Sequence, residues 1–480
     1  MAGRNLRQKP REAVGTSSSV RARATPPSGD GRYRPLPTGS HGLHPEVVKS
    51  DQRERLQSAM IELIADKGYP GVRIVDLAKL AHVSQPTFYS LYTDKEDLFL
   101  SAYDAVAQRT AMTVMGAYQK EGSPDERMVA AMRSFAEQAA AEPEGTSLLV
   151  LGAFGAGPKA LERRRRALDT LERSIQASRD GTPDPGSRDL TVTAILGGIR
   201  EVTATRLREG RAGELYDLAD ELAAWAWCFP RRPPAGLDAP VATRGEAAGA
   251  ATAIRSERAR RAGGRLPSGR SDLPRKVIVK SQQERIVDAT TAIVAEKGLA
   301  ALTIPEIARR ANVSHQTFYD IYPSKHDAFL GAQKVGFHQA LGVAVAAYEA
   351  EQDDWPRAVA AGVRALLEYL ASEPAHAHLT VVDTFAACPQ AIEIRSDALR
   401  SFATYLAPGY ELARAGGTRI KVPAIAAEAT VGGVWQVLHH YVENDCIAEL
   451  PGAAGQLIYV TLTPFLGPAE AASYAAAASA

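Results

Sequence analysis

A chain of 480 residues, 45% hydrophobic and 23% charged, has the composition of an ordinary globular protein, with room for roughly two to four domains. That excludes collagen-like, wholly disordered and disulfide-scaffold proteins, and three distant cysteines (Cys228, Cys388, Cys446) without a Cys-x-x-Cys argue for a reducing compartment and against a zinc ribbon. The net charge of +1 conceals an uneven distribution: residues 1–45 carry +6 and residues 231–280 carry +8, leaving −13 for the rest.

No apolar run reaches the ~20 residues that a membrane-spanning helix needs. The basic N-terminus has no apolar stretch behind it, so a secretory signal is not expected and a cytoplasmic location is. The first 45 residues are predicted to be a disordered basic tail. Such a tail either keeps the chain solvated or follows a polyanion; charge alone does not choose.

The next segment occurs twice. Shifted by 230, Glu54–Leu100 aligns without a gap on Glu284–Leu330, and 19 of the 47 positions are identical. Weaker matches follow: Glu142-Pro143 with Glu373-Pro374, Pro158-Lys159-Ala160 with Pro389-Gln390-Ala391, and Gly197-Gly198 with Gly432-Gly433. A unit this long is a duplicated domain rather than a solenoid repeat.

Helical periodicity runs through both copies. Leu56, Met60, Leu63 and Ile64 fall on one face of a first helix, as do Ile286, Thr290, Ile293 and Val294 in the second copy, and Lys67-Gly68 and Lys297-Gly298 end it. A short second helix carries the stripe Ile74, Leu77, Ala78, Ala81, repeated as Ile304, Ile307, Ala308, Ala311. Thr303 and Glu306 form a capping-box pattern before it, whereas the first copy has Arg73 at the cap. After a tight connection, Ser84 and Ser314 can cap a third helix whose Phe88, Leu91 and Tyr92, or Phe318, Ile321 and Tyr322, face inward. Two short helices joined by a three-to-four-residue turn are a helix-turn-helix.

These residues resemble the signature of TetR-type (tetracycline repressor family) regulators. Val83-Ser84-Gln85-Pro86-Thr87-Phe88-Tyr89 with Tyr92 and Lys95-Glu96 carries the resemblance once, and Val313-Ser314-His315-Gln316-Thr317-Phe318-Tyr319 with Tyr322 and Lys325 carries it again. It covers about 50 residues of each unit; length, helicity and order support the rest. The resemblance implies an all-α protein of two TetR-like units, each a three-helix DNA-binding domain followed by a helical ligand-binding and dimerising body. The boundaries expected are a tail 1–45, DNA-binding domain 46–100, body 101–230, basic flexible linker 231–280, second DNA-binding domain 281–330, second body 331–467 and a frayed Ala-rich tail 468–480. Ala247–Arg261 is expected to form at most a transient helix. Body helices are predicted over Lys95–Tyr118, Asp125–Ala141, Pro158–Ser178, Arg188–Arg208 and Leu215–Phe229. In the second unit they are predicted over Lys325–Glu349, Trp355–Ala371, Pro389–Leu406, Ala424–Val442 and Ala453–Leu466. In the family the last two helices of each subunit pair as a four-helix bundle. The Gly pairs 197–198 and 432–433 then either let two such helices approach closely or pack within their own domain.

Carried over to this sequence, the residues that face DNA are Ser84, Gln85, Pro86, Thr87 and Tyr89, and in the second unit Ser314, His315, Gln316, Thr317 and Tyr319. Gln can pair with adenine, a Thr methyl or proline ring can touch a thymine methyl, and His can donate to guanine. Tyr89, Tyr319, Lys95 and Lys325 are expected on phosphates, which orient without specifying sequence. The two heads differ at Gln85/His315, Pro86/Gln316 and Ser90/Asp320, which predicts unequal half-sites in a quasi-palindromic duplex operator.

The function expected is a ligand-responsive repressor acting as an intrachain pseudo-dimer. The alternative is a regulator controlled by a protein partner, or an activator, with each unit dimerising between chains. Phe135, Phe154, Tyr369, Phe385, Trp435 and His439 are candidates for a small-molecule pocket, though aromatics at helical spacing are more often core. No cofactor and no metal is expected: the His pairs at 376/378 and 439/440 lack further ligands, and Gly152-x-x-Gly155-x-Gly157 follows no strand. The chain has no Gly-x-Ser-x-Gly, Walker or His-Glu-x-x-His motif, so no enzyme is expected.

Overall fold

The computed structural model describes residue 33 and residues 44–120, 122–178, 187–188, 190–231, 234, 239–240, 274–384, 388–415 and 421–479. Unit one runs α1 (Pro45–Gly71), α2 (Ile74–Leu80), α3 (Gln85–Leu91), α4 (Lys95–Tyr118), α5 (Pro124–Ala141), α6 (Pro158–Ser178), α7 (Leu190–Arg208) and α8 (Glu214–Trp227). Unit two repeats the order with one helix, α15, inserted: α9 (Arg275–Lys297), α10 (Ile304–Ala311), α11 (His315–Ile321), α12 (Lys325–Ala350), α13 (Trp355–Ser372), α14 (Pro389–Thr404), α15 (Ala407–Ala415), α16 (Ala426–Glu443) and α17 (Ala454–Leu466); it then adds α18 (Pro468–Ser479). The duplication extends to an irregularity: each unit has a π-helical turn, Leu148–Gly152 and His378–Val382, after a short helical step that starts at Pro143 or Pro374. The strand pairing among the described residues is one two-residue antiparallel bridge, Ser187–Arg188 with Ala239–Pro240.

A glycine in the left-handed region interrupts the first helix of unit one and ends that of unit two. Gly68 has φ 69° and Gly298 φ 76°, values that L side chains rarely adopt. In unit one, helical turns resume as far as Gly71, so α1 is kinked rather than stopped at Gly68.

Each DNA-binding domain has a core of its own. Leu56, Met60, Leu77, Phe88, Tyr92 and Phe99 close the first, and Ile286, Ile293, Ile307, Phe318, Tyr322 and Phe329 close the second. Burying Phe88 or Phe318 fully is worth ~1.5–3 kcal/mol each. Tyr33, expected in a disordered tail, is buried in the first of these cores and donates its hydroxyl to Glu62 Oε2 at 2.8 Å. The rest of that tail before His44, most of the linker and Ala247–Arg261 lie outside the described residues.

The bodies share one core. A continuous apolar cluster takes in Leu190, Ile195, Ile199 and Trp225 of unit one with Trp435, Tyr441, Leu457 and Phe465 of unit two. Its axis is the packing of α7 along α16, with α8 against α16 and α17 against α7, so the last helices of unit one meet their counterparts within one chain. The glycine pairs make this approach possible. A Cβ on Gly197 would lie 2.3 Å from Gln436 Cβ, on Gly432 2.5 Å from Glu201 Cβ, and on Gly433 2.7 Å from the Ala194 carbonyl oxygen. Gly198 is pressed from both sides, by Ala429 O of the other unit and by Trp225 of its own, each at 2.4 Å. The glycines therefore serve the seam between units, not only packing inside one domain. Polar pairs cross it too: Arg206 to Glu428 (2.9 and 3.0 Å), Arg395 to Glu201 (2.9 and 2.6 Å) and Trp225 Nε1 to Thr430 Oγ1 (3.0 Å).

Two expectations about the end of the chain need correction. Residues 468–479 form a helix, α18, that seats Ala471 and Ala475 fully buried against α17 and α13; small side chains let it lie close. The interval between the helices predicted over Pro389–Leu406 and Ala424–Val442 contains a further helix, α15, whose Tyr410 donates its hydroxyl to Ala424 O at 2.9 Å and packs its ring edge-on to Phe465.

Candidate nucleic-acid interface

Both helix-turn-helix elements are held by the same set of bonds. Arg55, on α1, donates from Nη1 to the carbonyls of Ala81 and His82; Arg285, on α9, donates to Ala311 and Asn312, both at 2.9 Å. These carbonyls belong to the turn, so each arginine ties the turn to the first helix. At the turn, His82 and Asn312 both adopt φ 52°, which asparagine tolerates better than histidine. Val83 N and Val313 N then reach back to Ala78 O and Ala308 O at 3.0 Å. Ser84 and Ser314 cap the recognition helices by accepting from Thr87 N (3.1 Å) and Thr317 N (2.9 Å), a contribution of ~1 kcal/mol each.

With the scaffold fixed, burial along α3 and α11 is the same position by position. Phe88 and Phe318 are buried; Gln85, Pro86, Tyr89 and Ser90, and His315, Gln316, Tyr319 and Asp320, are exposed; Thr87 and Thr317 are half-buried. Tyr89 and Tyr319 remain 56% and 53% exposed while their rings pack edge-on to Phe88 and Phe318. Each helix thus presents an exposed face on which three residues differ between units and the tyrosine is shared. Ser84 and Thr87 share a hydroxyl contact at 2.8 Å, as do Ser314 and Thr317 at 2.9 Å, so the serines act as caps before they could touch DNA. Gln316 donates to Asp320 Oδ1 at 2.9 Å, an internal bond absent from unit one, where Ser90 donates to Thr87 O instead.

The lysines depart from expectation. Lys95 Nζ donates to Tyr69 O and Val72 O, both at 3.1 Å, and lies 4.2 Å from the Tyr69 ring centre; burial pulls its pKa below the ordinary lysine range. Lys325 Nζ donates to Leu302 O at 2.9 Å. These ammoniums tie down the chain between the first and second helices rather than reaching outward to phosphate. Nor are the first N–H groups of α4 and α12 open to phosphate: Asp94 and Ser324 cap them, and Asp94, Glu96 and Asp97 make the start of α4 acidic. The exposed basic residue that recurs near the turn is on the second helix, Lys79 in unit one and Arg309 in unit two. Arg309 also pairs with Glu306 at 2.8 Å.

Acid–base pairs brace the second helix alike in both units. Asp76 accepts from Lys67 and Arg73 at 3.0 Å, and these hold its pKa at about 2. Glu306 donates its backbone N–H to Thr303 Oγ1 at 3.4 Å, while its carboxylate accepts from Arg309 and Lys297, which hold its pKa at about 2. The capping box of the sequence is therefore half made.

The candidate pocket residues do not converge. In unit two a cavity of about 110 Å³ lies among Phe337, Tyr348, Leu366, Phe402, Val434 and Trp435. Of the six candidates, Trp435 lines it. Tyr369 instead donates to Gln339 Oε1 at 2.9 Å at the body's edge, Phe135 packs on the shared core, and His439 is buried in the seam. The side chain of Phe154, and Phe385 altogether, lie outside the described residues. The signal missed was the apolar stripe Phe337, Leu341, Val345 and Tyr348 on α12, which reads as ordinary core. Among the described residues no helix is long and apolar enough to cross a membrane.

Fold and site together define a duplicated helix-turn-helix DNA-binding regulator. The family model of bacterial regulatory proteins, tetR family, matches residues 57–102 and again residues 286–331, the two helix-turn-helix segments, which supports a tandem tetR-family regulator. It is a family of transcription regulators, not of enzymes. Similar solved structures include the fatty acid degradation regulator FadR from Bacillus halodurans (TM-score 0.33, 16% identity, 36% of this chain and 96% of that one). FadR from Bacillus subtilis, solved in complex with stearoyl-CoA, gives the same four values. A TetR-like transcriptional regulator from Rhodococcus sp. RHA1 has TM-score 0.31 and 19% identity over 38% of this chain and 96% of its own. No curated protein sequence matches the chain.

Proposed function

We propose that one chain binds one operator as an intrachain pseudo-dimer, reading two unlike half-sites of a quasi-palindromic duplex, and that it represses transcription until a small apolar effector binds. The observation that carries the first part is the glycine-lined seam of α7 and α16, which joins the two bodies through one apolar core. Heads joined in this way suit half-sites about one duplex turn apart, ~34–36 Å. Gln85, Pro86, Thr87 and Tyr89 read one half-site, and His315, Gln316, Thr317 and Tyr319 the other. Lys79 and Arg309 take phosphates, since the first helix of such a motif crosses the backbone.

The effector reading is supported by the cavity in unit two. Its wall is apolar, and its threonine hydroxyls are already engaged: Thr380 donates to His376 O, Thr461 to Leu457 O, and Thr430 accepts from Trp225. At about 110 Å³ it is of the scale of an engineered apolar cavity of ~150 Å³ that holds benzene. Val431, Val434, Trp435 and Leu438 of α16 line it, and α16 is also half of the seam. A molecule that displaces this helix alters the relation of the two bodies, and with them the heads.

Selection of bound sequences from a random duplex pool tests the reading. The expected product is a quasi-palindrome with unlike halves whose affinity falls when an apolar effector is added. Two separate, perfectly symmetric motifs, each needing two chains, would sink the intrachain reading and favour pairing between chains.

A further inference from the structure

The seam between the bodies is symmetric in shape and unsymmetric in chemistry. A shift of 235 residues (432 − 197) relates its two sides, carrying Gly197 and Glu201 onto Gly432 and Gln436. The close approaches obey it: Gly197 lies against Gln436 as Gly432 lies against Glu201, and Gly198 against Ala429 O as Gly433 against Ala194 O. It extends into the last helices, where Leu190 N donates to Gln456 Oε1 at 3.1 Å and Ile425 N to Glu221 Oε2 at 3.0 Å. Each unit therefore offers the other a like backbone surface, as in a two-fold dimer. Shape alone would admit unit one against a second unit one as readily as against unit two.

Polar contacts across the seam break that two-fold. Arg206 forks onto Glu428 at 2.9 and 3.0 Å, with Glu214 of its own unit 3.7 Å from Nε. The positions related to this pair are Tyr441 and Thr193, so the related contact contains no ion pair. Trp225 Nε1 donates to Thr430 Oγ1 at 3.0 Å, and the positions related to these two are Val460 and Ile195. Arg206, Trp225 and Thr430 are buried. Each bond thus needs one member from each kind of unit.

In two chains, two seams of unlike units hold two Arg206–Glu428 forks and two Trp225–Thr430 bonds. Sorting the same four units into twin pairs leaves none of them. In one twin pair each Arg206 faces Thr193 and each Trp225 faces Ile195; in the other each Glu428 faces Tyr441 and each Thr430 faces Val460. A buried indole N–H without its acceptor and a buried guanidinium without its forked carboxylate are both costly. Glu214 stays with Arg206 in either arrangement and does not offset the loss. The backbone fit is common to both, so the polar bonds decide between them.

We propose that the seam is a selective interface whose fitting partner is a unit of the other kind: unit one accepts unit two and refuses a second unit one, and unit two likewise. Copies of this chain then associate through it only by exchanging units, each seam still made of one unit of each kind. This rests on the intrachain reading above and specifies which pairings the seam refuses.

Two full-length variants, Arg206→Glu and Glu428→Arg, test it. Each sets like charges across its own seam, and each alone should unfold roughly 5 °C below the unaltered chain. Co-expressed, they can form two mended seams only between chains, the reversed pair in one and the native pair in the other. Native mass spectrometry should then show a dimer with one chain of each kind, and its unfolding temperature should return toward the unaltered value. A chain carrying both substitutions should regain that temperature as a monomer. Absence of the mixed dimer, or like-with-like dimers from either variant alone, overturns the proposal. Photo-cross-linking of the unaltered protein, prepared as a mixture of light and heavy isotope chains, needs no variant to fold. Cross-links should join α7 to α16. Light α7 joined to heavy α7, or light α16 to heavy α16, overturns the selectivity; α7 joined to α16 between chains rather than within them contradicts the intrachain reading and supports the selectivity.

Discussion

The two reading heads are built alike and are not equipped alike. Every residue that holds the turn is the same or does the same work: Arg55 and Arg285 on the turn carbonyls, Ser84 and Ser314 at the caps, Phe88 and Phe318 in the core, Lys95 and Lys325 on the preceding loop. Three pairs that differ, Gln85 and His315, Pro86 and Gln316, Ser90 and Asp320, are on the exposed face of the recognition helix. Packing and buried hydrogen bonds constrain the first set, whereas solvent constrains the second little. Unlike side chains at these exposed positions are what two heads with separate targets require.

The comparison can be broken most severely at the seam that joins the heads. Gly433→Leu would force a side chain into the Ala194 backbone, and a destabilisation of about 3 kcal/mol is expected in denaturant unfolding. Gly116→Ala, with nothing within 4 Å of the new carbon, should instead stabilise by ~0.5–1 kcal/mol. Equal effects at the two sites would mean that the seam does not hold the bodies together.

Replacing the exposed glutamines sharpens the difference between the heads. Gln85→Ala and Gln316→Ala should each cost ~1–3 kcal/mol in operator affinity and relax preference at one base position in one half-site. Binding measured on duplexes altered one half at a time checks this; loss of preference in both halves from one substitution would contradict it. For Gln316 the free energy of breaking its bond to Asp320 offsets part of the gain on binding, so its effect should be the smaller.

Lysines separate holding from reading. Lys95→Met should lower stability while leaving the slope of affinity against salt unchanged, because its ammonium faces carbonyls. Lys79→Ala should leave stability unchanged and reduce that slope by about one phosphate contact. The reverse result would return Lys95 to the DNA surface.

The smallest effect concerns acid. Asp76 and Glu306 are held at about pKa 2 by their basic neighbours, below their ordinary values near 4. A depressed folded-state pKa contributes stability that is present above the unfolded-state value and is lost as pH falls toward 2. Asp76→Asn and Glu306→Gln should therefore flatten the pH dependence of unfolding between about pH 4.5 and 2 to a similar, modest degree, because both ion pairs lie at the surface, where solvent screens them. A strong effect in one head alone would show that the two scaffolds are less alike than their bonds suggest.

The heads were legible in the sequence because their constraints are local. Helical stripes, a Ser cap and a buried Phe recur at fixed spacing, and Arg55 and Arg285 stand among the repeated positions although their task on the turn emerges only in three dimensions. Lys95 misled for the same reason: a basic residue at a helix start suggests phosphate, and only the path of the chain at Tyr69 and Val72 turns it inward. The Gly pairs could be read two ways until the facing helix was known. The bodies were harder. Their cavity is lined by side chains that look like any core, and α18 is an alanine run whose burial depends on what lies beneath it.

The central claim, that one chain supplies both heads to one operator, is tested most directly by the mass of the complex. The full-length protein is mixed with a duplex carrying its selected site and weighed by native mass spectrometry or light scattering. One chain per duplex, with both unlike half-sites protected, is the result this account predicts; two chains per duplex, each using one head on a symmetric site, would contradict it.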